Sequence, residues 1–380
     1  MDLQEIRQEI DRVDSEMVRL YGKRMELTGE IGRYKREKGL PVLDTERERN
    51  LLNRVGEEAG EENENGVRAM FSMLMAQSRT RQMLEGRKIS ETGKKIRETL
   101  EKTDQLFPGK AMVACQGMEG AYSQMACEKL FTAPTIMYCK SFENVFSAIE
   151  SGLCRYGILP IENSLAGSVN SVYDQMISHH FFIVRSTRVK IDHSLLTLPG
   201  VEEDRIQEVY SHEQAIQQCS RFLGAHREWR VNIVSNTAAA ARMVAESGRT
   251  DIAAISSGSC APLYGLEVKR TDIQNNSNNH TRFICISKEP EIYPGADRTS
   301  LSMILPHRPG SLYKVLSRFY ALGINLNKLE SRPLPDRNFE FMFYFDLDTP
   351  VYSPAFLQLM GELESISEDF TYLGSYSEVI

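Results

Sequence analysis

The sequence predicts a multidomain chain: an all-helical N-terminal part, an α/β middle and an α+β, ferredoxin-like end. Three observations predict this. An unbroken three-and-four spacing of apolar residues opens the chain. Short apolar runs alternating with amphipathic stretches fill the middle, and a β-α-β-β-α-β order closes it. The length of 380 residues exceeds what one core ordinarily serves.

The opening stripe is Leu3, Ile6, Ile10, Val13, Met17, Leu20, Arg24, Leu27, Ile31 and Tyr34, all on one side of a long helix. Arg24 is its one charged member. A guanidinium in an apolar seam is costly unless an anion or a hydrogen-bonding group meets it. The seam is therefore expected to bind something negatively charged. An arginine that snorkels past the seam, or pairs with Glu26 or Glu30, explains the residue equally well. Arg7 and Lys35 share a heptad phase beside the seam, 28 residues apart. At 1.5 Å per residue roughly 42 Å separates them. They can meet around one small ligand only if a second copy of the helix runs antiparallel alongside. The expectation is a helical homodimer with an anion site built from both chains.

A second helix is expected after Pro41. Thr45 and Glu48 fit a capping box, and Asp44 is an alternative cap. Asp44, Arg47 (or Glu48) and Leu51 share a face. A third helix is expected from about Val67 to Gly86. Its stripe of Val67, Met70, Phe71, Leu74 and Met75 continues into two uncharged hydrogen-bonding groups, Ser78 and Gln82.

Composition excludes several classes. The net charge is −7, and residues 1–88 hold 17 Lys+Arg against 18 Asp+Glu, so no general nucleic-acid surface is expected. No apolar run approaches the ~20 residues of a membrane span. The first residues lack the basic-then-apolar order of a signal peptide. The seven cysteines are scattered without a CxxC pair, which reads as reduced, buried thiols in a cytoplasmic protein. No metal-ligand spacing is found.

Residues 89–108 read as a charged linker, helical in part. In the α/β middle, strands are expected at Ala111–Cys115, Tyr156–Ile161, Phe181–Val184, Val209-Tyr210, Val231–Val234, Ile252–Ile255 and Phe283–Ile286. Helices are expected at Phe142–Ile149 and Thr237–Ala245. Ligands bind such sheets at strand ends. Four strand ends carry polar clusters: Gln116–Ser123, Glu162-Asn163-Ser164, Ser211-His212 with Gln217-Gln218 beyond, and Ser235-Asn236-Thr237. Together they suggest a cleft for a polar ligand. Gly117 and Gly120 do not make GxGxxG, so no dinucleotide site is expected. Asn275, Asn276, Asn278 and Asn279 mark a loop before Thr281-Arg282-Phe283. In the last part, strands are expected at Leu301–Leu305, Ile324–Ser331, Phe339–Leu347 and Thr371–Tyr376. Helices are expected at Pro309–Tyr320 and Pro354–Leu363.

These parts, in this order, resemble the bifunctional chorismate mutase–prephenate dehydratase family along nearly the whole chain. The mutase likeness rests on Arg7, Arg24, Lys35, the DTERE segment, Ser78 and Gln82. The dehydratase likeness rests on GAYS (120–123), PIENS (160–164), YSHEQAIQQC (210–219) and TRF (281–283). The end looks like an ACT regulatory domain through RPGSL (308–312) and ESRP (330–333). Glu213 and Met118 stand where the family usually has proline. The resemblance implies a helical mutase domain (1–88), a two-lobed, periplasmic-binding-protein-like dehydratase domain (109–288) and an ACT domain (299–380). It implies no cofactor and no metal, and a homodimer, with pairing into tetramers left open.

The family's chemistry assigns roles. Chorismate is a dianion that rearranges through a compact cyclic transition state. Arg24 and a partner chain's Arg7 would grip its carboxylates. Lys35 and Gln82 would donate to the ether oxygen. Glu48, with Asp44 nearby, would meet the ring hydroxyl, and Arg47 and Ser78 would complete the pocket. Prephenate then loses carbon dioxide and the ring hydroxyl, giving phenylpyruvate. Thr281, Asn163 and Gln218 are the expected catalytic contacts. Glu162 and His212 are better acids on paper, although His212 also suits a cap. Ser235, Asn236, Thr237 and Arg282 could hold substrate carboxylates, and Arg282 could equally be structural. Phenylalanine would bind Gly310, Ser311 and Leu312, with Asn325, Glu330 and Ser331 around it. Two other readings compete: a dehydratase whose helices only dimerise, and an amino-acid-sensing regulator.

Overall fold

The computed structural model describes residues 2–42, 44–84, 90–334 and 340–380. In chain order the helices are α1 (Leu3–Glu37), α2 (Thr45–Leu84), α3 (Glu91–Lys102), α4 (Tyr122–Leu130), α5 (Phe142–Glu150), α6 (Asn170–His179), α7 (Glu213–Gln218), α8 (Ser220–Ala225), α9 (Thr237–Ser247), α10 (Cys260–Tyr264), α11 (Ser311–Ala321) and α12 (Pro354–Ile366). The strands are β1 (Met112–Gln116), β2 (Thr135–Cys139), β3 (Tyr156–Asn163), β4 (Gly167–Ser168), β5 (Phe182–Lys190), β6 (Ser194–Thr197), β7 (Glu208–Ser211), β8 (Arg230–Ile233), β9 (Ile252–Ser256), β10 (Glu267–Arg270), β11 (His280–Ser287), β12 (Arg298–Ile304), β13 (Asn325–Pro333), β14 (Phe341–Asp348), β15 (Asp369–Tyr376) and β16 (Glu378–Val379). Each strand and helix expected from sequence appears, with ends shifted by a few residues. Phe339, Glu85 and Gly86, which the expected elements included, lie outside the described residues.

The chain divides into two compact units. One holds Met1–Ile96, Met303–Gly323 and Ser353–Phe370; the other holds Arg97–Ser302, Ile324–Tyr352 and Thr371–Ile380. In the first, α1 starts at a full capping box: the Asp2 side chain accepts from Gln4 and Glu5, and Glu5 reaches back. Its buried residues are Thr28, Gly29 and Gly32, a small-residue face offset from the apolar stripe. Gly32 has a reason to lack a side chain. A Cβ there would stand 2.9 Å from the Gln82 Cα, so the contact of α1 with α2 depends on glycine. The stripe stays wet within one chain: Ile10 is 53% and Leu27 50% exposed.

The start of α2 follows the alternative cap. Asp44, not Thr45, is the cap: its Oδ1 accepts from the Arg47 N–H at 3.0 Å, and its carbonyl takes the first helical bond from Glu48. The two helices expected over 45–86 are both present: they part at Gly60, whose φ of 71° and ψ of 163° are not helical, and the second runs back along the first, so that Arg79 reaches Glu48. The third helix thus begins just after Gly60 rather than near Val67.

The second unit's α/β part holds two sheets of mixed direction. The larger runs β16-β5-β11-β3-β1-β2, with β4 paired to β3; the other runs β10-β6-β9-β7-β8. Residues 191–193 and 271–279 connect them. The larger sheet's core includes Val113, Tyr156, Ile158, Phe283 and Cys285, all buried. The smaller sheet packs Val209, Cys219, Trp229, Ala253 and Ile255 on one face. All seven cysteines are free and buried, as expected. The remaining four strands form a sheet in the order β13-β14-β12-β15, which is the ferredoxin-like order.

Candidate active sites

In the helical region, Arg24 points toward α2. Its Nη1 donates to the Ser78 Oγ and to the Leu74 carbonyl at 3.3 Å, while the Ser78 hydroxyl donates onward to that same carbonyl at 2.7 Å. The hydrogen-bonding alternative to snorkelling therefore holds. Burial lowers the pKa of Arg24, and a planar guanidinium stays charged regardless. Two of its donors are committed, which fixes the fork and leaves the others for a ligand. Lys35, on the same helix, donates from Nζ to the Val42 carbonyl at 2.7 Å. Gln82 brings a buried Oε1 that makes no hydrogen bond among the described residues.

Glu48 is paired with Arg79, both half-buried. Sequence reasoning missed Arg79; its one signal is that it directly follows Ser78. Asp44 and Arg47 are exposed at the start of α2. Arg7 is exposed near the opposite end of the 35-residue α1. A single chain thus brings Arg24, Ser78, Gln82 and Lys35 to one end of the α1–α2 pair and leaves Arg7 at the other.

The second site is a cavity of about 530 Å³ lined by strand ends of the larger sheet, by the 191–193 connection, and by α7 and the start of α9 beyond the smaller sheet's strands. Its walls include Gln116, Gly117, Tyr122, Ser123, Asn163, His193, His212, Gln214, Gln218, Ser235, Asn236, Thr237, Thr281 and Phe283. All four polar strand ends noted in the sequence converge here. Strand pairing explains the central contact. In the antiparallel ladder of β3 with β11, Thr281 stands opposite Asn163 and Arg282 opposite Glu162.

The polarity of this site can be worked out from the backbone. The Asn163 Oδ1 accepts from the N–H groups of Leu165 and Ala166, at 3.0 and 2.9 Å. Two fixed donors settle which end of the amide is oxygen. The Asn163 Nδ2 then donates to the Thr281 Oγ1 at 3.0 Å and the Asn279 Oδ1 at 2.7 Å. Because the Thr281 oxygen accepts from Asn163, its own proton is free to be donated elsewhere. The Asn279 Nδ2 passes the direction on to the Gln218 Oε1 at 3.1 Å, and the His193 Nε2 meets that oxygen at 2.9 Å. Burial lowers the pKa of His193, so neutral imidazole is favoured. Sequence reasoning missed His193 and took Asn279 for loop. A lone histidine between strands carries no pattern.

The remaining expectations divide. The His212 ring caps α7, accepting from the Gln214 N–H at 3.3 Å, in line with the capping alternative. Asn236 caps α9 through its Oδ1, accepting from Ala239 at 2.8 Å, while its Nδ2 donates to the Ser235 Oγ at 3.4 Å; Ser235, Asn236 and Thr237 all border the cavity. Arg282 does not line the cavity, which corrects the substrate grip and is in line with the structural alternative. Side chains alternate along a strand, so Thr281 and Phe283 face the cavity and Arg282 faces away. It is 5% exposed, with its Nη2 on Asp346 and its Nε 3.2 Å from Glu162. Burial alone would lower its pKa, but Asp346, Tyr376 and Glu162 outweigh burial and raise it. Glu162 also takes the Lys328 ammonium, and so is a structural carboxylate rather than a free acid.

In the ferredoxin-like region, Gly310 caps α11 at a φ of 81° with no side-chain cap. Elsewhere, Asn325 donates to Asn327 and Asp348, and Glu330 accepts from the Ser168 hydroxyl. No cluster among the described residues could hold a metal ion, and no helix of theirs is long and apolar enough to cross a membrane.

A two-lobed α/β cleft whose polar groups are amides, hydroxyls and two histidines, on a chain that opens with a cationic helical site, defines a class: an enzyme acting on small carboxylate substrates. Residues 113–291 match the prephenate dehydratase family model and residues 6–83 the chorismate mutase type II model. An arogenate dehydratase/prephenate dehydratase of Arabidopsis thaliana is 36% identical, over 70% of this chain and 72% of its own length. The bifunctional chorismate mutase/prephenate dehydratase of Escherichia coli is 29% identical, over 98% of this chain and 95% of its own. The crystal structure of a prephenate dehydratase from Arthrobacter aurescens with L-Phe matches with a TM-score of 0.64 and 29% identity, covering 70% of this chain and 90% of that one. This chain belongs to the bifunctional chorismate mutase–prephenate dehydratase family.

The corrected position of Arg282 has a measurable consequence. Removing one partner of a buried ion pair costs about 3–5 kcal/mol. Arg282→Ala should therefore lower the unfolding free energy by about that much in urea melts, leaving Asp346 without its cation and Glu162 with Lys328 alone. An unchanged melt with a raised KM for prephenate would instead return Arg282 to substrate binding.

Proposed function

We infer that the chain catalyses two consecutive steps of phenylalanine biosynthesis: chorismate to prephenate, then prephenate to phenylpyruvate. The observation that carries this reading is the presence of both family matches in one chain, each over a site with the fitting charge.

The mutase step needs no nucleophile. The enzyme must hold a dianion in its reactive fold and meet charge as it grows on the ether oxygen. Arg24, fixed by Leu74 and Ser78, supplies directed donors at the seam. Lys35 and Gln82 would donate to the ether oxygen. Glu48, held by Arg79, would accept from the ring hydroxyl, with Asp44 and Arg47 at the rim. Arg7 comes from a partner chain. The exposed stripe of α1 supports a homodimer, since each large apolar side chain withdrawn from water contributes about 1.5–3 kcal/mol.

In the second step the carboxylate leaves as carbon dioxide while the ring hydroxyl departs and takes a proton to become water. The ring gains aromaticity, and the protein's task is to assist the leaving oxygen. Thr281 is a poor Brønsted acid, so it acts as a hydrogen-bond donor or relay. Its donor role fits the Asn163 contact, which occupies an acceptor site on its oxygen and leaves the proton for substrate. Gln218 turns its Nε2 hydrogens toward the cavity because its oxygen is taken. Ser235, Asn236 and Thr237 would hold a carboxylate at the start of α9, where backbone N–H groups point outward.

Residues 299–380 would act as an ACT domain taking phenylalanine near Gly310, Ser311 and Leu312, with Asn325, Glu330 and Ser331 nearby. Feedback inhibition follows if phenylalanine prefers one conformation over another. Domain limits of 1–88, 109–288 and 299–380, and a cytoplasmic location, complete the reading.

Time courses from chorismate test it. The wild-type chain should yield phenylpyruvate, and phenylalanine should slow that yield. Thr281→Ala should accumulate prephenate and form phenylpyruvate about a hundredfold more slowly. Absence of any chorismate loss in the wild-type chain would refute the bifunctional reading. The shared mutase site has its own test. Inactive Arg7→Ala and Lys35→Ala chains, mixed and allowed to exchange, should regain activity, because one pocket of each hybrid dimer escapes both changes. No recovery despite confirmed exchange would contradict a cross-chain site.

A further inference from the structure

His193 lies on the 191–193 connection, where the chain passes from one sheet to the other. Both of its backbone polar groups are tied to the second connection. Its N–H donates to the Gln274 Oε1 at 2.9 Å, and its carbonyl accepts from Ile273 at 3.1 Å. The ring is buried at 2% exposure, with Tyr122 edge-on at 6.3 Å between ring centres. It borders the cavity yet belongs to none of the groups assigned above to substrate.

The ring's partner is the Gln218 Oε1. That oxygen is already an acceptor for Asn279, whose own direction descends from Asn163 and the N–H groups of Leu165 and Ala166. A carbonyl oxygen has no proton to give, so the His193 Nε2 must carry one. The tautomer is thus set by the amide chain rather than chosen freely. Two donors converge on one oxygen from two different connections. With Asn279 alone, the Gln218 amide could turn about its last torsion and present oxygen to an anionic substrate. With both donors in place, only the Nε2 hydrogens can face the cavity.

We propose that His193 is a positioning residue for prephenate dehydration: its Nε2–H holds the Gln218 amide with the NH₂ end turned to substrate. The proposal rests on the reading of Gln218 as a substrate contact. It assigns His193 no proton transfer. Its effect runs through an amide that is useful in only one of two orientations.

A mutant cycle in the full-length chain decides it. His193→Phe keeps a ring but removes the donor. His193→Gln keeps an N–H donor near the Nε2 position. Phenylpyruvate formation from prephenate is measured for each, for Gln218→Ala and for the His193→Phe/Gln218→Ala double variant, with mutase turnover as the internal control for folding. His193→Phe should lower kcat about tenfold, with KM within about twofold and mutase turnover unchanged. His193→Gln should recover most of the loss. The double variant should be no slower than Gln218→Ala alone, because residues acting as a unit are not additive.

Full kcat in His193→Phe would overturn the proposal. So would losses that multiply in the double variant, or a His193→Gln chain as slow as His193→Phe. If Gln218→Ala itself leaves dehydration intact, the assignment of Gln218 falls and this proposal falls with it. If Gln218→Ala is slow but the losses multiply, only the role of His193 fails. Should the phenylalanine variant not fold, His193→Asn, whose donor ends short of Gln218, takes its place in the same cycle with the same expected outcomes.

Discussion

The dehydratase cleft depends on one amide whose direction is imposed by backbone. Leu165 and Ala166 donate to the Asn163 oxygen, and every later choice of donor and acceptor follows. Thr281 accepts from the Asn163 Nδ2, which also reaches Asn279 and the His280 carbonyl, and keeps its own proton to give. Asn279 must receive and so gives to Gln218. Gln218 has its oxygen occupied and so offers nitrogen. A site that helps an oxygen leave needs donors, and this chain of amides builds them from uncharged side chains. Preorganised donors of this kind need no rearrangement as charge develops. The use of neutral groups also suits an anionic substrate, since a carboxylate in their place would repel both the substrate and the departing oxygen.

The same pair of strands carries a second set of contacts on its other face. Strand alternation sends Thr281 and Asn163 into the cavity, and sends their neighbours Arg282 and Glu162 to meet Asp346 and Lys328 from β14 and β13. Glu330 of β13 reaches Ser168 of β4, directly after the Asn163 turn. The β3–β11 ladder is therefore bonded on its far side to two strands of the ferredoxin-like sheet. The ion pairs are buried or half-buried, where breaking one partner is expensive. The two faces of β3 and β11 are thus mechanically one object.

Much of this was legible in the sequence, for physical reasons that differ by element. The long α1 and the buried strands β1, β3, β9 and β11 announce themselves because burial imposes a period. Edge strands do not. Thr135–Cys139 keeps most of its residues at least partly exposed, and Glu378–Val379 is too short for any period to show. The sequence marked Thr281, Asn163 and Gln218 through their motifs, and all three line the cavity. It failed on His193 and Asn279 because their contacts join segments far apart in the chain. Arg282 was readable in principle: a residue next to Thr281 on a strand must face the other way. Arg79 escaped because a charged residue on a helix reads as solvated until its partner, Glu48, is known.

The central claim is that the Asn163 amide sets the donor direction of the whole cleft. Asn163→Asp tests it most directly, since a carboxylate keeps the size and shape but can only accept. Phenylpyruvate formation should fall by about a hundredfold or more, while chorismate is still converted to prephenate and the chain's near-ultraviolet circular dichroism is unchanged. A folded aspartate variant that dehydrates prephenate at close to the wild-type rate would contradict the account.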